Sequence, residues 1–455
     1  MKFHWQVLVA LGLGAKRNWH IFFALFAGVL CGALLAWRIP IEPGVDPQNA
    51  HLVYQILYVI GQIFIRLIEM IVIPLVLSSL IVGIASLGDG KQLGRLGGKV
   101  IFFFILTTAI AAIIGASLAL FAKPGIYVQG DISKYSKQQL QIVQEKAELI
   151  QANHRDIKNI FLDMLPSNPI KSLADAQLIP IIIFAIIFGS ALTFIGETNR
   201  PILAFFEAVF AATMKIMDWV MIWAVPGIFA LTANTVASVG VDIFKDMIVY
   251  VVIIIIGLLI QLFVTYPILL RTLAKVNFLS LYKAVVEAMM VGFGTASSSA
   301  TLPVTIACAE RRAGISNRVS SFVLPLGATM NMDGTAMFET IAVIFLAQAY
   351  GIDISEPSTL FGLIVMGVIA SIAAAGVPSA GLVTMSLVLN YIGDFTPQMI
   401  VQGISLVWII DRFLDMCRTM VNITSDTVVA TIIASSEGEL DYDLLNNQDV
   451  WKDVV

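Results

Sequence analysis

The sequence is poor in charged residues, in cysteine and in the short signatures of common enzymes. Asp, Glu, Lys and Arg make up only 13% of its 455 residues, and no GxSxG, HExxH or GxxxxGK[ST] pattern is present. The net charge of −4 is small for this length and argues against a nucleic-acid partner. The three cysteines form no CxxC pair, which argues against a disulfide framework and a thiolate metal site. We therefore expect neither an enzyme nor a protein with an organic cofactor.

Long apolar runs dominate the chain, with 58% hydrophobic residues and a mean hydropathy of +0.89. A soluble domain cannot bury that much apolar surface, so the composition predicts a polytopic protein of the lipid bilayer. Basic residues lie in alternate connections, which places those connections and both termini in the cytoplasm by the positive-inside rule. Compact loops favour a prokaryotic inner membrane. The first six runs lie at about 19–37, 52–83, 98–122, 176–196, 202–235 and 243–270.

A polar stripe interrupts the last apolar region, where residues 411–426 read DRFLDMCRTMVNITSD. Asp411, Asp415, Arg418, Asn422 and Asp426 follow one another at intervals of three or four residues, so on an α-helix they share one face. A charged residue at the bilayer centre costs about 2.5–3.5 kcal/mol on insertion scales and turns toward the protein interior. One Asp–Arg pair could serve only to fix helix packing. Three Asp, one Arg and one Asn on one stripe favour a functional site.

Two segments of the second half are too interrupted to be ordinary spans. Residues 281–310 carry apolar arms around GTASSS, and residues 358–393 carry apolar arms around AGVPSAG. Each pattern predicts a re-entrant hairpin whose polar tip lies at membrane depth, buried in protein or facing water. The alternative for the first segment is one helix whose small residues pack against a neighbour. The two segments run in opposite orientations, which is typical of an inverted repeat.

The region between the two hairpins, residues 322–348, contains Asn331 and Asp333 beside Gly334. An unbroken helix would aim these two side chains at different faces, so we expect a break that frees carbonyl oxygens for a hard cation. Glu339 lies one to two turns further on, and is either a proton carrier or a hydrogen-bonding partner of a neighbouring helix. The two predicted hairpins would act as two gates around one site. This arrangement favours a secondary transporter over the alternatives of an anion channel or a substrate-gated sensor.

Four of these segments resemble the dicarboxylate/amino acid:cation symporter family, which includes archaeal aspartate transporters and mammalian excitatory amino acid transporters. They are SSSATLP at 297–303, NMDGT at 331–335, AGVPSAG at 375–381 and DMCRTMVN at 415–422. The resemblance implies an all-α polytopic membrane protein, a homotrimer with eight transmembrane helices, two re-entrant hairpins, inverted repeats and an elevator movement. It implies scaffold helices at 1–97 and 174–240 and transport-domain segments at 98–123 and 241–437. Polar composition predicts an extracytoplasmic segment at 124–173, and acidic composition predicts a solvated cytoplasmic tail at 438–455.

Matching positions in this family also imply the binding residues. Arg418 would hold a side-chain carboxylate, which suits its planar guanidinium group, and Asp415 would hold the substrate ammonium group. The other substrate-binding candidates are Ser297, Ser298, Ser299, Met332, Thr335, Val377, Pro378, Gly381, Thr419 and Asn422. The sodium-binding candidates, some acting through main-chain carbonyl groups, are Thr107, Thr108, Gly327, Thr329, Asn331, Asp333, Ser371, Ile372, Asn422 and Asp426.

The substrate class follows from two positions of this resemblance. Relatives that carry neutral amino acids lack the Arg at Arg418, and relatives that carry C4-dicarboxylates lack the Asp at Asp415, so a chain with both is expected to carry aspartate or glutamate with Na⁺. Archaeal relatives have an additional Arg at the position of Ala296, and mammalian relatives have one at the position of Met416. Sodium-only archaeal members have Gln at the position of Glu339, so the Glu of this chain favours proton co-transport. The alternatives are the same fold carrying cystine, serine or a C4-dicarboxylate, or a mainly H⁺-driven carrier.

Overall fold

A computed structural model describes residues 20, 23–39, 51–85, 90–128, 165–175, 177–239, 247–374, 376 and 378–446. Within these ranges the chain is mostly helical and forms no sheet; one β-bridge joins Ile315 to Leu440. The helices are α1 (23–38), α2 (Leu52–Ala85), α3 (Gly90–Ala122), α4 (Pro169–Ala174), α5 (Leu178–Phe194), α6 (Arg200–Val220), α7 (Ala224–Val239), α8 (Ile248–Ala274), α9 (Phe278–Thr295), α10 (Ser298–Arg311), α11 (Asn317–Met330), α12 (Asp333–Tyr350), α13 (Pro357–Ala373), α14 (Ala380–Ile392), α15 (Pro397–Glu437) and α16 (Tyr442–Asn446).

The six apolar runs of the first half are helical wherever the structure describes them. Within the run at 202–235, a 3₁₀ turn at Met221–Trp223 separates α6 from α7, but Arg200–Asn234 as a whole is long and apolar enough to be one span. Pro226 accounts for this interruption, since proline has no N–H to donate to the carbonyl group four residues earlier, that of Ile222. Most of the predicted polar segment, residues 129–164, lies outside the described residues, as does the end of the predicted tail, residues 447–455.

The helices pack in two groups. In the first, α2 packs against α5, α6 and α7, and Gly227 of α7 allows a close approach because any side chain there would collide with Phe64 of α2. In the second, α3 packs against α8, α12, α13 and α15. The groups meet where α2 contacts α10 and α11 and where α7 contacts α9 and α15. Lipid is as apolar as these side chains, so close packing of this kind, rather than the hydrophobic effect, holds such helices together.

The second half contains two helical hairpins and one broken helix. In the first hairpin, α9 and α10 pack against each other and are joined at Ala296, whose φ of 52° lies in the left-handed region. In the second hairpin, α13 and α14 are joined by residues 374–379. The central helix is broken at Asn331 and Met332, between α11 and α12, which confirms the expected interruption. A single continuous helix over 281–310 is excluded by the turn at Ala296. The re-entry of both tips into a membrane stays a prediction.

Residues 438–446 of the expected solvated tail are mostly exposed, but the segment also contacts the helices. Leu440 and Leu445 are buried, and the amide of Asp441 donates to the carbonyl group of Gly314 at 2.8 Å. The Glu439 carboxylate forms an ion pair with Arg318 of α11 at 2.7 Å. Acidic composition suggested solvent exposure, but two leucines and backbone pairing attach this segment to the connection between α10 and α11.

Candidate functional site

The polar stripe of α15 faces the interior of the second helix group. All five of its side chains are at least nine-tenths buried, and that of Arg418 is fully enclosed. Arg418 Nη2 donates to Asp411 Oδ1 and to Asp415 Oδ1, each at 2.8 Å. The Arg418 Cζ atom lies 3.7 Å from the ring centroid of Phe338, in a cation–π contact. Two acidic partners and one aromatic face offset the cost of burying this charge.

Arg418 retains hydrogen-bonding capacity beyond these contacts. Its Nε and Nη1 atoms are buried and have no hydrogen-bond partner among the described residues. A guanidinium group has five N–H donors, and an unsatisfied buried donor is unfavourable. Nη1 faces Gly381 of α14, because a Cβ atom added to Gly381 would lie 3.8 Å from it. The site therefore offers free donors to an anionic or carbonyl group at the second hairpin.

The tips of the two hairpins meet beside this arginine. Ser297 Oγ donates to the Gly376 carbonyl group at 2.7 Å, and the Ser299 amide donates to the same carbonyl group at 3.0 Å. The Ser379 amide donates to Asp415 Oδ2 at 2.8 Å. Gly376 is required here, because a side chain would collide with Ser299 and with the carbonyl group of Ala328. Both hairpins thus close over one end of the stripe.

The broken helix lies on the other side of the stripe. Asn422 Oδ1 accepts from the Gly334 amide at 2.8 Å, and Asn422 Nδ2 donates to Thr335 Oγ1 at 3.2 Å. The start of α12 is thereby attached to α15 next to Arg418. Other predicted substrate-binding residues that are buried in this region are Ser298, Met332 and Thr419. Pro378 is half-buried at the second tip, and Val377 lies outside the described residues.

A first cluster of polar groups surrounds Asp333. Thr108 Oγ1 donates to Asp333 Oδ1 at 2.9 Å. Three further groups donate to Asp333 Oδ2: Gln261 Nε2 at 3.1 Å, Tyr266 OH at 2.8 Å and Ser425 Oγ at 2.8 Å. The carboxylate is fully buried, and these four donors satisfy it. Helices α3, α8, α12 and α15 therefore converge on one carboxylate.

A second cluster surrounds Asn331 at the helix break. Asn331 Nδ2 donates to Asp426 Oδ1 at 2.9 Å, and Thr107 Oγ1 donates to Asn331 Oδ1 at 3.1 Å. Gly327 leaves room for Asp426, since a Cβ atom there would lie 2.5 Å from the carboxylate. Ser425 Oγ accepts from Asn331 Nδ2 at 3.0 Å and so links this cluster to Asp333. Carboxylate, hydroxyl and carbonyl oxygens of this kind suit a hard cation.

The remaining predicted sodium ligands are less closely joined. Thr329 Oγ1 bonds to the Leu326 carbonyl group and Ser371 Oγ to the Val368 carbonyl group, each within its own helix. Ile372 packs on the apolar contact between α3 and α12. The helices that carry them, α11 and α13, are in contact. The structure thus brings most of the predicted cation ligands into two linked clusters, while this third set shares only a helix contact.

Glu339 lies one to two turns beyond Asp333 on α12 and is fully buried. Its Oε1 atom accepts from Thr384 Oγ1 of α14 at 2.5 Å, and its Oε2 atom has no hydrogen-bond partner among the described residues. The hydrogen bond to a neighbouring helix, one of the two alternatives for this residue, is present. The free carboxyl oxygen keeps the other alternative, a proton carrier, open.

Sequence reasoning did not list several residues that complete the site. Gln261 interrupts the apolar run VVIIIIGLLIQLFV, which is a signal that could have been used, and Ser425 stands directly beside Asp426. Phe338, Tyr266 and Thr384 carry no such signal, because aromatic and hydroxyl residues are common in packed helices. Their roles follow only from the contacts.

Comparison with known proteins agrees with this geometry. The sequence model described as "Sodium:dicarboxylate symporter family" matches residues 18–436. The proton/sodium-glutamate symport protein of Bacillus caldotenax is 33% identical over 423 residues, covering 92% of this chain and 94% of the relative. The proton/glutamate-aspartate symporter of Escherichia coli (strain K12) is 33% identical over 424 residues, covering 93% of each chain. Human excitatory amino acid transporter 2 is 31% identical over 466 residues, covering 92% of this chain and 79% of the relative. The chain belongs to the sodium:dicarboxylate symporter family.

Proposed function

We propose that this protein is a secondary active symporter that takes up glutamate or aspartate together with Na⁺. The observation that carries the proposal is the buried Arg418 with free donors, placed beside Asp415 and under two hairpin tips. The names of the relatives from Bacillus caldotenax and Escherichia coli support an acidic amino acid as cargo. No step of this function requires bond-breaking chemistry, and the family consists of transporters rather than enzymes.

The substrate would replace contacts that the protein now makes with itself. Its side-chain carboxylate would bind the Arg418 guanidinium group and its ammonium group would bind Asp415. Asp411 also accepts from Arg418, so it would hold the guanidinium group in place while Asp415 changes partners. The α-carboxylate would bind the amides and hydroxyl groups of the first tip, Ser297–Ser299, together with Asn422. Thr335, Met332, Thr419, Pro378, Gly381 and Val377 would line the remaining surface.

Na⁺ would be carried as a second substrate in the two linked clusters. Asp333, Asn331, Thr107 and Thr108 would supply one set of oxygen ligands, and Asp426 with the carbonyl groups of Gly327 and Asn422 a second set. Thr329, Ser371 and Ile372 would supply a third set through carbonyl groups once α11 and α13 move closer. The hydroxyl groups that now donate to Asp333 would rotate toward other acceptors. The convergence of four helices on Asp333 supports this assignment, because ion binding there would fix their relative positions.

The same proposal includes the membrane architecture. Eight spans and two re-entrant hairpins would place the site near the middle of a prokaryotic inner membrane, with both termini in the cytoplasm. The first helix group would be the fixed scaffold of a homotrimer, and the second group would be the transport domain that moves as an elevator. The extensive packing of α2 with α5, α6 and α7 on one side and of α3 with α12 on the other supports this division, with smaller contacts between the groups.

Uptake into proteoliposomes tests the proposal. Labelled L-aspartate and L-glutamate are supplied outside, with an imposed Na⁺ gradient or a pH gradient, and unlabelled serine, cystine and succinate are added as competitors. We expect accumulation that requires external Na⁺ and is displaced by L-aspartate and L-glutamate but not by the other three. Displacement by serine, cystine or succinate instead would assign a different cargo to the same fold.

A second candidate, a mainly H⁺-driven carrier, is favoured by one observation. Asp333 is already satisfied by four protein donors, while Glu339 has a free buried oxygen. The name of the Escherichia coli relative, a proton/glutamate-aspartate symporter, agrees with this alternative. Accumulation driven by an acidic exterior in the complete absence of Na⁺ would select it over Na⁺ symport.

A further inference from the structure

A groove opens on the outer surface of the second helix group, between the last turns of α8 and the first turn of α9. Its volume is about 550 Å³, and its lining includes Phe263, Val264, Ile268, Arg271 and Phe278. A volume of this size lies within the roughly 300–1,000 Å³ that is typical of small-molecule sites. The groove is separate from the hairpin tips and from the candidate cation clusters.

The backbone of α8 explains why the groove exists. The helix ends in two π-helical turns, Gln261–Thr265 and Leu270–Ala274, which flank the α-helical residues 266–269. A π turn widens the helix, and Pro267 removes one backbone donor at the same level. The OH group of Tyr282 in α9 donates to the Leu262 carbonyl group and so joins α9 to the first π turn of α8.

The walls of the groove are apolar and exposed. Phe263, Val264 and Ile268 are 57%, 49% and 56% exposed, and they lie on the outer side of α8. On the inner side of the same turns, Gln261 and Tyr266 donate to Asp333. A molecule in the groove would therefore press on the turns that hold two donors of the cation cluster.

One end of the groove is positively charged. Arg271 lines it and Lys275 follows one turn later; both side chains are exposed, and neither forms an ion pair with any residue in the described part of the chain. The charge pattern of the loops places this end of α8 at the cytoplasmic surface, where anionic lipid headgroups attract Lys and Arg. Apolar walls that end in unpaired cations match a molecule with an acyl chain and an anionic head.

We propose that this groove binds one anionic glycerophospholipid of the inner leaflet. The headgroup phosphate lies on Arg271 and Lys275, and an acyl chain lies along Phe263, Val264 and Ile268. The lipid supports the π turns from outside and thereby steadies Gln261 and Tyr266 against Asp333. This site depends on the placement of the chain in a membrane but not on which substrate the protein carries.

Native mass spectrometry of the purified full-length protein tests the charged end of the site. The detergent-solubilised protein is incubated with palmitoyl-oleoyl phosphatidylglycerol or with phosphatidylcholine of the same chains. We expect at least fivefold greater retention of phosphatidylglycerol, and Arg271→Gln should reduce its retention to that of phosphatidylcholine. Lys283→Gln removes an exposed charge of α9 that does not line the groove, and it should leave retention within twofold. Equal losses in both variants, or no preference for phosphatidylglycerol, would overturn the proposal.

A second pair of variants tests the apolar walls. Val264→Trp fills the groove and should lower phosphatidylglycerol retention at least fivefold, although every charge is kept. Ile256→Trp places the same side chain on an exposed position of α8 outside the groove and should have no effect. Displacement of the lipid by soluble glycerol 3-phosphate at millimolar concentration would contradict the lipid assignment, because it would mean that the acyl chain adds nothing to binding. None of these measurements depends on transport, so their outcome is independent of the uptake experiment.

Discussion

The guanidinium group of Arg418 is held from several directions at once. Asp411 and Asp415 accept from the same nitrogen, and the ring of Phe338 covers the planar face. A cation–π contact of this kind is worth about 2 kcal/mol when it is desolvated. Lysine carries a point charge on a flexible stem and can neither stack on the ring nor present a planar set of donors. The site therefore requires an arginine and not only a positive charge.

Arg418→Lys tests this requirement. The variant keeps a cation between the two aspartates, so it avoids leaving buried carboxylates unpaired, but it loses the planar donors. A hydrogen bond to a charged group is worth about 1.5–3 kcal/mol, so the KM for uptake of L-aspartate and L-glutamate should rise about 10- to 150-fold. Kinetics in proteoliposomes measure the change. Arg412→Lys, a half-buried neighbour on the same helix, is the control and should stay within twofold. An unchanged KM in Arg418→Lys would contradict the assignment.

Glu339 offers the sharpest test of proton coupling at a single residue. Glu339→Gln keeps an acceptor for Thr384 Oγ1 but cannot carry a proton. If Glu339 is a proton carrier, an acidic exterior should accelerate Na⁺-driven uptake in the wild-type protein, because protonation would neutralise its buried carboxylate. The variant should retain Na⁺-driven uptake and lose this acceleration. Uptake rates at a series of external pH values provide the measurement.

Thr384→Val is the matched control for Glu339→Gln. It removes the hydrogen bond and keeps the carboxyl group, so the response to an acidic exterior should persist even if the rate falls. Equal pH responses in the wild-type protein and Glu339→Gln would mean that Glu339 serves only as a hydrogen-bonding partner of the second hairpin.

At the scale of elements, the hydrogen bonds that the described residues form between the two hairpin tips converge on one carbonyl group. Gly376 accepts from the Ser297 hydroxyl group and from the Ser299 amide. The first hydrogen bond depends on a side chain and the second does not, so the two can be separated by substitution. Opening of the second hairpin requires both to break.

Ser297→Ala should loosen the second tip. A hydrogen bond contributes about 0.5–1.5 kcal/mol, so the population in which the tips separate should rise about 2- to 12-fold. Hydrogen–deuterium exchange of a peptide covering the second tip, without substrate, measures this rise. Ser299→Ala is the control: its hydroxyl group has no hydrogen-bond partner in the described residues, and its amide is kept. Equal exchange in the two variants would show that the Ser297 hydroxyl group does not hold the tips together.

The elements differ in how far sequence could predict them. The stripe of α15 was predictable because a helical period places Asp411, Asp415 and Arg418 on one face, and all are buried. The break at Asn331 was predictable from polar residues beside glycine. In contrast, Gln261 lies 72 residues from Asp333 in sequence, and only the packing of α8 against α12 brings them into contact. Periodicity describes one helix at a time and cannot reveal such pairs.

Two structural details were not predictable from composition, for physical reasons. Pro226 accounts for a 3₁₀ turn inside an apolar run that is still long enough to be one span, because hydropathy does not register a missing backbone donor. The acidic composition of the last residues suggested solvation, but Leu440 and Leu445 are buried. Net charge describes a segment as a whole, whereas docking depends on a few apolar side chains and on backbone pairing with Gly314 and Ser316.

At the scale of the whole molecule, the two helix groups are linked by an ion pair at their boundary. Arg311 at the end of α10 lies 3.0 Å from Asp218 of α6, and the two side chains are 35% and 31% exposed. The proposed division places Asp218 in the scaffold and Arg311 in the moving domain. An elevator movement would have to break this pair in every cycle.

Asp218→Asn should therefore speed transport. A partly exposed ion pair is worth about 0.2–1 kcal/mol, so its loss should raise the maximal uptake rate about 1.5- to 5-fold if separation of the groups limits the rate. Added choline chloride, which screens the pair, should speed the wild-type protein and leave the variant unchanged. Glu439→Gln removes a similarly exposed ion pair, with Arg318, that lies outside this boundary, and it should alter neither the rate nor its salt dependence. If Asp218→Asn and Glu439→Gln behave alike, the boundary between the moving and the fixed parts does not run between α6 and α10.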